Sequence, residues 1–255
     1  MIDTHCHLHL PAFDTDRQEV LARSRQAGVD QWVVPGIRLS DFPQLVARHE
    51  EGIHLAFGLH PFFTQDHPTD GPDQLINWVR QYHPLAIGEI GLDFIAPQTT
   101  HQMQLALFTE QLRIADQFHL PVLLHVRKAH DIVLGVLRQR PFPFGGIVHA
   151  FSGTLHQARS YIELGFCLGF GGVVTRDNAR HLRDLVPFLP ESALVLESDA
   201  PDLPPAGHLG ERNEPCHLPL VAQTLATLRK VPIEHMITTT RLNAQRVLWS
   251  IHGMT

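Results

Sequence analysis

Short runs of apolar and β-branched residues recur along the chain, and they alternate with longer segments of helical hydrophobic period. The apolar runs have the length of buried strands. The eight predicted strands are Ile2–His7, Gln31–Pro35, His54–Leu59, Leu85–Ile90, Pro121–Val126, Gly146–Ala150, Phe166–Phe170 and Leu194–Asp199. The clearest amphipathic helical segments are Arg17–Ala27, Gln102–Phe118, Asp131–Arg140 and Leu155–Leu164, and two further helices are predicted between His217 and Trp249.

The regular alternation of eight strands with helices predicts the α/β class and, within it, a (β/α)₈ TIM barrel. A doubly wound open sheet is the alternative, but it is typical of chains with a glycine-rich turn after the first strand. The segment that follows Ile2–His7 contains no such turn. We find no linker, repeat or low-complexity tract, so the 255 residues are predicted to form a single TIM-barrel domain, 1–255.

Polar residues stand at or just after the carboxyl ends of these predicted strands, and in a barrel those ends converge on one mouth. They are His5, His7, His60, Glu89, His125, His149 and Asp199. His5 and His7 are two residues apart in a strand, so their side chains share a face. His9 continues the alternation, but we expect it to be a loop histidine beyond the strand.

Each of these residues alone has an ordinary interpretation, such as a hydrogen-bonded core histidine or a structural ion pair. Together they would bury polar groups that need partners, and divalent metal ions would supply them. Imidazole and carboxylate suit Zn²⁺, and the carboxylates also admit Mg²⁺ or Mn²⁺. Six ligands are too many for one catalytic ion with an open position. The sequence therefore predicts two divalent metal ions per chain, bridged by a carboxylate. The predicted metal ligands are His5, His7, Glu89, His125, His149 and Asp199.

The charge balance narrows the substrate class. The chain has 20 Lys and Arg against 26 Asp and Glu, a net charge of −6, which argues against a broad basic surface for long duplex nucleic acid. Two divalent ions would exceed the charge of Glu89, Asp199 and a bridging hydroxide, so the centre would stay positive. A positive centre of this kind suits an anionic phosphodiester.

Basic residues near the mouth are candidates for binding the phosphate. Arg127 shares a strand face with His125, so we expect it at the mouth, where a guanidinium can contact phosphate oxygens. Lys128 is better interpreted as a solvated surface charge, and Arg212 is left open between the two roles. Glu197 shares a face with Asp199, and we expect it to orient a ligand histidine rather than to bind metal.

The cellular compartment is predicted from the lack of a membrane helix, the lack of a signal peptide and the pattern of the cysteines. No apolar run approaches the ~18 residues of a membrane helix, and the first residues lack the features of a signal peptide. The cysteines are odd in number and scattered, so they cannot form a disulfide framework; they are Cys6, Cys167 and Cys216. A reducing, cytoplasmic location without membrane association is therefore expected.

An ordered set of motifs extends from the first residues to the last predicted helix: IDTHCHL, GLHP, GEIGLDF, LPVLLHVRKAHD, GIVHAFSG, LGFCLGFGGVVT, LESDAP, RNEP and TTTRLNAQRV. In these motifs the chain resembles the TatD family of metal-dependent deoxyribonucleases, TIM-barrel hydrolases of the amidohydrolase type, and within it a YjjV-like branch. The resemblance implies the same six metal ligands, with Glu89 as the bridge, and a substrate-facing role for His60. It also implies a cytoplasmic hydrolase, with 3′-end nuclease activity on DNA in some members.

The chain departs from the family pattern at three positions. The family often has an acid where His9 and Lys128 stand, and a second histidine where Phe62 stands. These positions are expected at the mouth and do not affect the ligands, so they leave metal binding intact and the substrate open.

We therefore expect a metal-dependent phosphodiester hydrolase of the TatD type, acting like a 3′–5′ exonuclease on nucleic-acid ends, mainly single-stranded DNA, with no obligate protein partner. Its predicted catalytic residues are Asp199, Glu89, His60 and Arg127. One alternative is a hydrolase of lactones or amides on the same metal centre, because fold and metal do not fix the substrate. A second is a non-catalytic metal-binding module. Saturated metal coordination without turnover would distinguish it.

Overall fold

Eight parallel strands form the centre of the molecule in a computed structural model, which describes residues 1–95, 101–140 and 142–249. The strands pair in sequence order, each with the next. Their bounds are β1 Ile2–Asp3, β2 Gln31–Pro35, β3 Ile53–Phe57, β4 Ala86–Asp93, β5 Val122–Arg127, β6 Gly146–Val148, β7 Phe166–Phe170 and β8 Leu194–Leu196. The N–H of Thr4 donates to the carbonyl of Leu196 at 3.0 Å, so the first strand also meets the last. The prediction of a (β/α)₈ barrel is confirmed.

Helices surround the strands and connect each to the next. They are α1 Arg17–Gln26, α2 Phe42–Ala47, α3 Gly71–Tyr82, α4 His101–Gln117, α5 His130–Gln139, α6 Leu155–Glu163, α7 Arg180–Leu185, α8 Leu218–Arg229 and α9 Ile233–Trp249. The clearest predicted helices therefore end within a residue or two of the observed bounds. None of the helices in the described ranges combines the length and the apolar character needed to span a membrane.

Alternation along the strands divides the core into two layers. Val122 and Leu124 of β5 pack outward among the helices, whereas Leu123 belongs to a second cluster inside the barrel. That inner cluster also includes residues of α9, among them Val247, so the last helix packs against the inner cluster. Because side chains alternate, the residue two positions after Leu123, which is His125, points into the barrel at its mouth.

Six of the eight strands differ from their predicted bounds, and the differences in β1 and β4 affect the mouth. The β1 ladder ends at Asp3, and the following residues run on as irregular extended chain. Strand β4 continues to Asp93, with an irregular register between Ile87 and Ile90. At Gly91, φ is +141° and an added Cβ would lie 2.0 Å from the His125 carbonyl oxygen, so only glycine fits beside β5. The longer β4 places a second acid, Asp93, at the mouth.

Candidate metal centre

All six predicted ligands lie together at the carboxyl ends of β1, β4, β5, β6 and β8. Most of them are almost fully buried: 0% of the surface of His5 is exposed and 2% of that of Glu89. Burial of so many ionisable groups is costly unless they are paired or bind a cation. Their mutual distances therefore decide what the site can hold.

One group of ligand atoms comes from the HxH motif and the end of β8. The Nε2 atoms of His5 and His7 lie 3.9 and 3.7 Å from Oδ1 of Asp199. Their three ligand atoms all fall within 4.8 Å of one another. Oε2 of Glu89 lies 3.1 Å from His5 Nε2 and 3.6 Å from His7 Nε2, so it completes this group from β4.

The other oxygen of Glu89 faces a second group of histidines. Its Oε1 lies 2.8 Å from Nδ1 of His125 and 3.3 Å from Nε2 of His60. His149 lies nearer the first group: its ring stacks on that of His5 at 3.6 Å, and its Nε2 is 3.4 Å from Asp199 Oδ1. Among the described residues, the Glu89 carboxylate therefore faces His5 and His7 with one oxygen and His60 and His125 with the other.

His60 is close enough to be counted with the ligands, but its hydrogen bonding points to a different role. Its Nδ1 accepts a hydrogen bond from the backbone N–H of Phe62 at 3.1 Å, where the chain turns into a short 3₁₀ helix. In a neutral imidazole one nitrogen accepts and the other carries the proton. His60 Nε2 therefore presents an N–H to the site and not a lone pair, which suits a hydrogen-bond donor.

Two carboxylates contact the ring nitrogens of predicted ligands on the side away from the centre. Asp93 accepts a hydrogen bond from His125 Nε2 at 3.1 Å, which leaves Nδ1 free to face Glu89. Glu197 lies 3.0 Å from His149 Nδ1 and also accepts from the backbone N–H of Ala150. This is the orienting position that the sequence predicted for Glu197. Asp93 was missed, although it is the second acid of the GEIGLD motif.

A third buried acid connects the first and last strands. Asp3 is fully buried, and its carboxylate accepts hydrogen bonds from the backbone N–H and hydroxyl of Ser198, at 2.9 and 2.6 Å. It also accepts from the N–H of His5 at 3.3 Å. Burial raises the pKa of Asp3 to about 7, against the opposing effect of these hydrogen bonds. Asp3 thereby holds His5 and Asp199 at a fixed spacing.

The protonation of the site suits a metal. Burial lowers the pKa of His7 to about 4, so its ring is neutral and can donate a lone pair. Burial would raise the pKa of Glu89, but the surrounding histidines outweigh it and hold that pKa well below the usual range. Burial likewise works against protonation of His125, yet its hydrogen bonds with Asp93 and Glu89 raise its pKa to about 9. A bound cation would replace protons that the metal-free site holds between its acids and histidines.

The candidate phosphate-binding residues differ in what they contact. Arg127 lies at the mouth with 59% of its side chain exposed, and its Nη1 is 3.9 Å from Asp93. Lys128 lies in the exposed turn after β5, which agrees with the solvated charge expected for it. Arg212, whose role was left open, donates to Asp16 at 2.6 Å and to Glu214 at 2.7 Å, so its guanidinium is already paired with carboxylates. His9 is in a loop, as predicted, but it is buried.

The RNEP segment, which contains Arg212, has a structural role. Asn213 donates to the carbonyls of Ser198 and Asp202, at 2.7 and 2.8 Å, and so fastens the long loop after β8. Glu214 accepts from Arg23 on α1 at 3.0 Å. These bonds fix the backbone around Asp199, whose φ of +58° is unusual for a residue other than glycine.

A cavity of about 450 Å³ opens beside the histidines. Its floor includes His125, His149 and Asp199, and Arg127 is at its rim. Its walls are mainly apolar and come from the β6, β7 and β8 side of the mouth: Phe151, Val173, Leu182 and Leu203. A small ligand held here would lie against the predicted metal ligands.

Comparison with known proteins agrees with this arrangement. The family model described as TatD related DNase matches residues 2–249. The chain belongs to the TatD family. An uncharacterized metal-dependent hydrolase of Escherichia coli K12, YjjV, is 37% identical over 239 residues, which is 92% of each chain. The crystal structure of that TatD homologue superposes with a TM-score of 0.92 and covers 97% of each chain at 36% identity.

The nuclease members are somewhat more distant. A protein of Pantoea ananatis named 3′-5′ ssDNA/RNA exonuclease TatD is 32% identical over 257 residues, covering 97% of this chain and 98% of its own. The family membership identifies the chain as a metal-dependent hydrolase. The buried histidines, Glu89 and Asp199 are the groups in the described residues that suit divalent metal binding.

Proposed function

We propose that this hydrolase uses two divalent metal ions to cleave phosphodiester bonds, and that it removes nucleotides from the 3′ end of single-stranded DNA. The observation that carries the proposal is the position of Glu89. Its two oxygens face different histidines, at 3.1 Å from His5 and 2.8 Å from His125. A carboxylate in this position can be shared by two ions.

The donor set fits two ions and divides naturally between them. His5, His7 and Asp199 would hold one ion, and Glu89 would be shared with the other. His125 would hold that second ion together with His149, which also lies against the first group through His5 and Asp199. When bound, divalent ions of this kind lower the pKa of water to near neutrality and stabilise the negative charge that develops on phosphorus-bound oxygens. Zn²⁺, Mg²⁺ and Mn²⁺ all suit a mixture of imidazole and carboxylate ligands.

The remaining chemistry belongs to the protein side chains. Asp199 stays ionised because the neighbouring histidines offset the effect of burial and lower its pKa, so it can accept the proton of the attacking water. His60 donates its Nε2–H to a non-bridging phosphate oxygen. Arg127 binds the same phosphate from the opposite side through its exposed guanidinium. No serine or cysteine nucleophile is needed.

The shape of the mouth supports a strand end as substrate. The cavity of about 450 Å³ falls within the range of small-ligand pockets, and its apolar walls suit one nucleoside better than a base-paired end. The name of the Pantoea ananatis relative refers to single-stranded DNA and RNA. A cytoplasmic location, expected from the three cysteines, is part of this proposal.

A nuclease assay on single strands tests the proposal. Oligonucleotides labelled at the 3′ or the 5′ end are incubated with protein reloaded with Mg²⁺, Mn²⁺ or Zn²⁺. We expect early release of the 3′ label as a mononucleotide and a ladder of shortening 5′-labelled products. Turnover of lactones or amides without any cleavage of oligonucleotides would favour the alternative hydrolase. Metal binding without any turnover would favour a non-catalytic module.

A further inference from the structure

The two halves of the barrel mouth differ in character. The cavity beside the metal centre is formed from β5 to β8, whereas the loops after β2 and β3 form the opposite half. A phosphodiester bound at Glu89 carries two substituents. If the terminal nucleoside occupies the cavity, the rest of the strand extends over the β2–β3 half.

In the described loops of that second half, which lead from β2 to α2 and from β3 to α3, Arg38 is the one arginine or lysine. It follows β2, and its guanidinium carbon lies 4.2 Å from the ring centroid of Phe63, which follows β3. The Phe63 ring lies 5.8 Å from the ring of His60, and His60 contacts Glu89. Arg38 is therefore separated from the predicted bridging carboxylate by two rings, on the side away from the cavity.

Arg38 also has unused hydrogen-bonding capacity. Four arginines lie at the end of a strand or in a loop after one in the described chain: Arg38, Arg127, Arg176 and Arg212. Arg176 donates to the carbonyl of Pro204 at 2.7 Å, and Arg212 is bound to carboxylates. The nearest acid to Arg38 is Asp41, at 3.8 Å from Nε, and within the described residues the terminal nitrogens of Arg38 have no hydrogen-bond partner. Its side chain is 40% exposed.

An exposed aromatic ring, that of Phe62, lies 5.3 Å between centroids from the Phe63 ring on which this guanidinium stacks. Phe62 has 56% of its surface exposed, and its backbone N–H is bonded to His60. A cation with free donors beside an exposed ring is the combination with which proteins bind single strands, by phosphate contact and base stacking. Stacking of Arg38 on Phe63 pre-orients the guanidinium and leaves its outer edge free for phosphate oxygens.

We propose that Arg38 binds a backbone phosphate of the polynucleotide, on the side of the scissile bond opposite the terminal nucleoside. The inference rests on the proposed function and extends it, because it sets the direction in which the strand leaves the centre. Arg38 acts here as a positioning residue, distinct from the groups at the reacting phosphate.

Two substrates separate this role from catalysis. Thymidine 5′-(p-nitrophenyl phosphate) contains only the scissile phosphate, whereas oligothymidylate has further phosphates. For Arg38→Gln we expect an unchanged kcat/KM on the p-nitrophenyl ester. On oligothymidylate we expect a KM roughly tenfold higher, because loss of one charged hydrogen bond is of this scale. The dependence of log KM on log salt should fall by about 0.7, the value for one phosphate contact on a single strand.

The matched control is Arg25→Gln. Arg25 has a similar side-chain exposure of 46%, and it also lies over an aromatic ring, 5.2 Å from the centroid of Trp32. Unlike Arg38, it lies near the start of β2, at the other end of the barrel. This variant should leave the KM for oligothymidylate and the salt slope unchanged.

A second measurement needs no variant. In a series of oligothymidylates, each phosphate in turn is replaced by a neutral methylphosphonate. Replacement at one position adjacent to the scissile bond should raise the KM of the wild-type protein roughly tenfold. Arg38→Gln should lose nothing further at that position. The inference is overturned if no methylphosphonate position raises the wild-type KM. It is also overturned if Arg38→Gln changes the kinetics of the p-nitrophenyl ester and of oligothymidylate equally, or changes neither. If the wild-type protein cleaves neither phosphodiester in any metal, the proposed function itself fails.

Discussion

Replacement of Asp93 by asparagine tests how the second half of the centre is held. Asp93 Oδ2 accepts the Nε2–H of His125 at 3.1 Å, and its Oδ1 accepts the N–H of Ile95 at 3.0 Å. Asparagine keeps the shape and the bond to Ile95. Its amide NH₂ then faces the Nε2–H of His125, so two donors meet.

The magnitude follows from this conflict. His125 can relieve it by moving its proton to Nδ1, but Nδ1 then has no lone pair for a metal. The Asp93 side chain is only 2% exposed, so water does not take over the lost bond. Loss of such a partner of a ligand histidine weakens metal affinity by about 10–100-fold, or roughly 1.4–2.7 kcal/mol. We expect the upper end of that range for Asp93→Asn.

Calorimetric titration of metal-free protein with Mn²⁺ provides the measurement. We expect two binding steps, of which Asp93→Asn weakens one and leaves the step assigned to His5, His7 and Asp199 unchanged. Asp202→Asn is the control. It removes the same charge from the cavity wall, and its carboxylate acts on Asp199 by charge repulsion but forms no hydrogen bond with a ligand histidine among the described residues. If both affinities of Asp93→Asn equal those of Asp202→Asn, Asp93 does not support His125 and the reasoning is refuted.

Three further outcomes are expected. Elemental analysis should find two ions per chain in the wild type and fewer in Glu89→Gln, which should also lose activity. Full metal occupancy in this variant would exclude a bridging role for Glu89. Asp199→Asn should retain at least one ion but lose ~10²-fold or more in kcat, the scale for removal of a general base, and a normal kcat would leave Asp199 as a ligand only. Burial lowers the pKa of His130 to about 4. Between pH 6.5 and pH 4 this histidine is therefore protonated in the unfolded chain but neutral in the folded protein, so the free energy of unfolding falls as the pH falls through this range. His130→Phe removes this titration and keeps the bulk of the ring beside Tyr161, so in metal-free protein its stability relative to the wild type should rise by roughly 2 kcal/mol between pH 7.5 and pH 5. Urea unfolding at both pH values measures this, and equal pH dependence of the two proteins would contradict it.

Much of this architecture is determined by local pattern. The apolar runs specify strands such as Gln31–Pro35 and Phe166–Phe170 to the residue, because each run is buried on both faces and is bounded by turn residues. Strand periodicity then directs His125 and His149 to the interior, since both follow inward residues by two positions. The barrel and the convergence of the six predicted ligands were therefore accessible from sequence.

Roles that depend on partners distant in sequence were decided only by the tertiary structure. Arg212 was ambiguous in sequence because its partner Asp16 lies 196 residues away, and only the fold shows that the two side chains form an ion pair. Asp93 was overlooked because the predicted strand ended at Ile90, whereas β4 continues to Asp93 and brings that carboxylate beside His125. A linear pattern determines which face a side chain occupies, whereas the hydrogen bond or ion pair that sets its chemistry depends on which other segments the fold brings within about 3 Å.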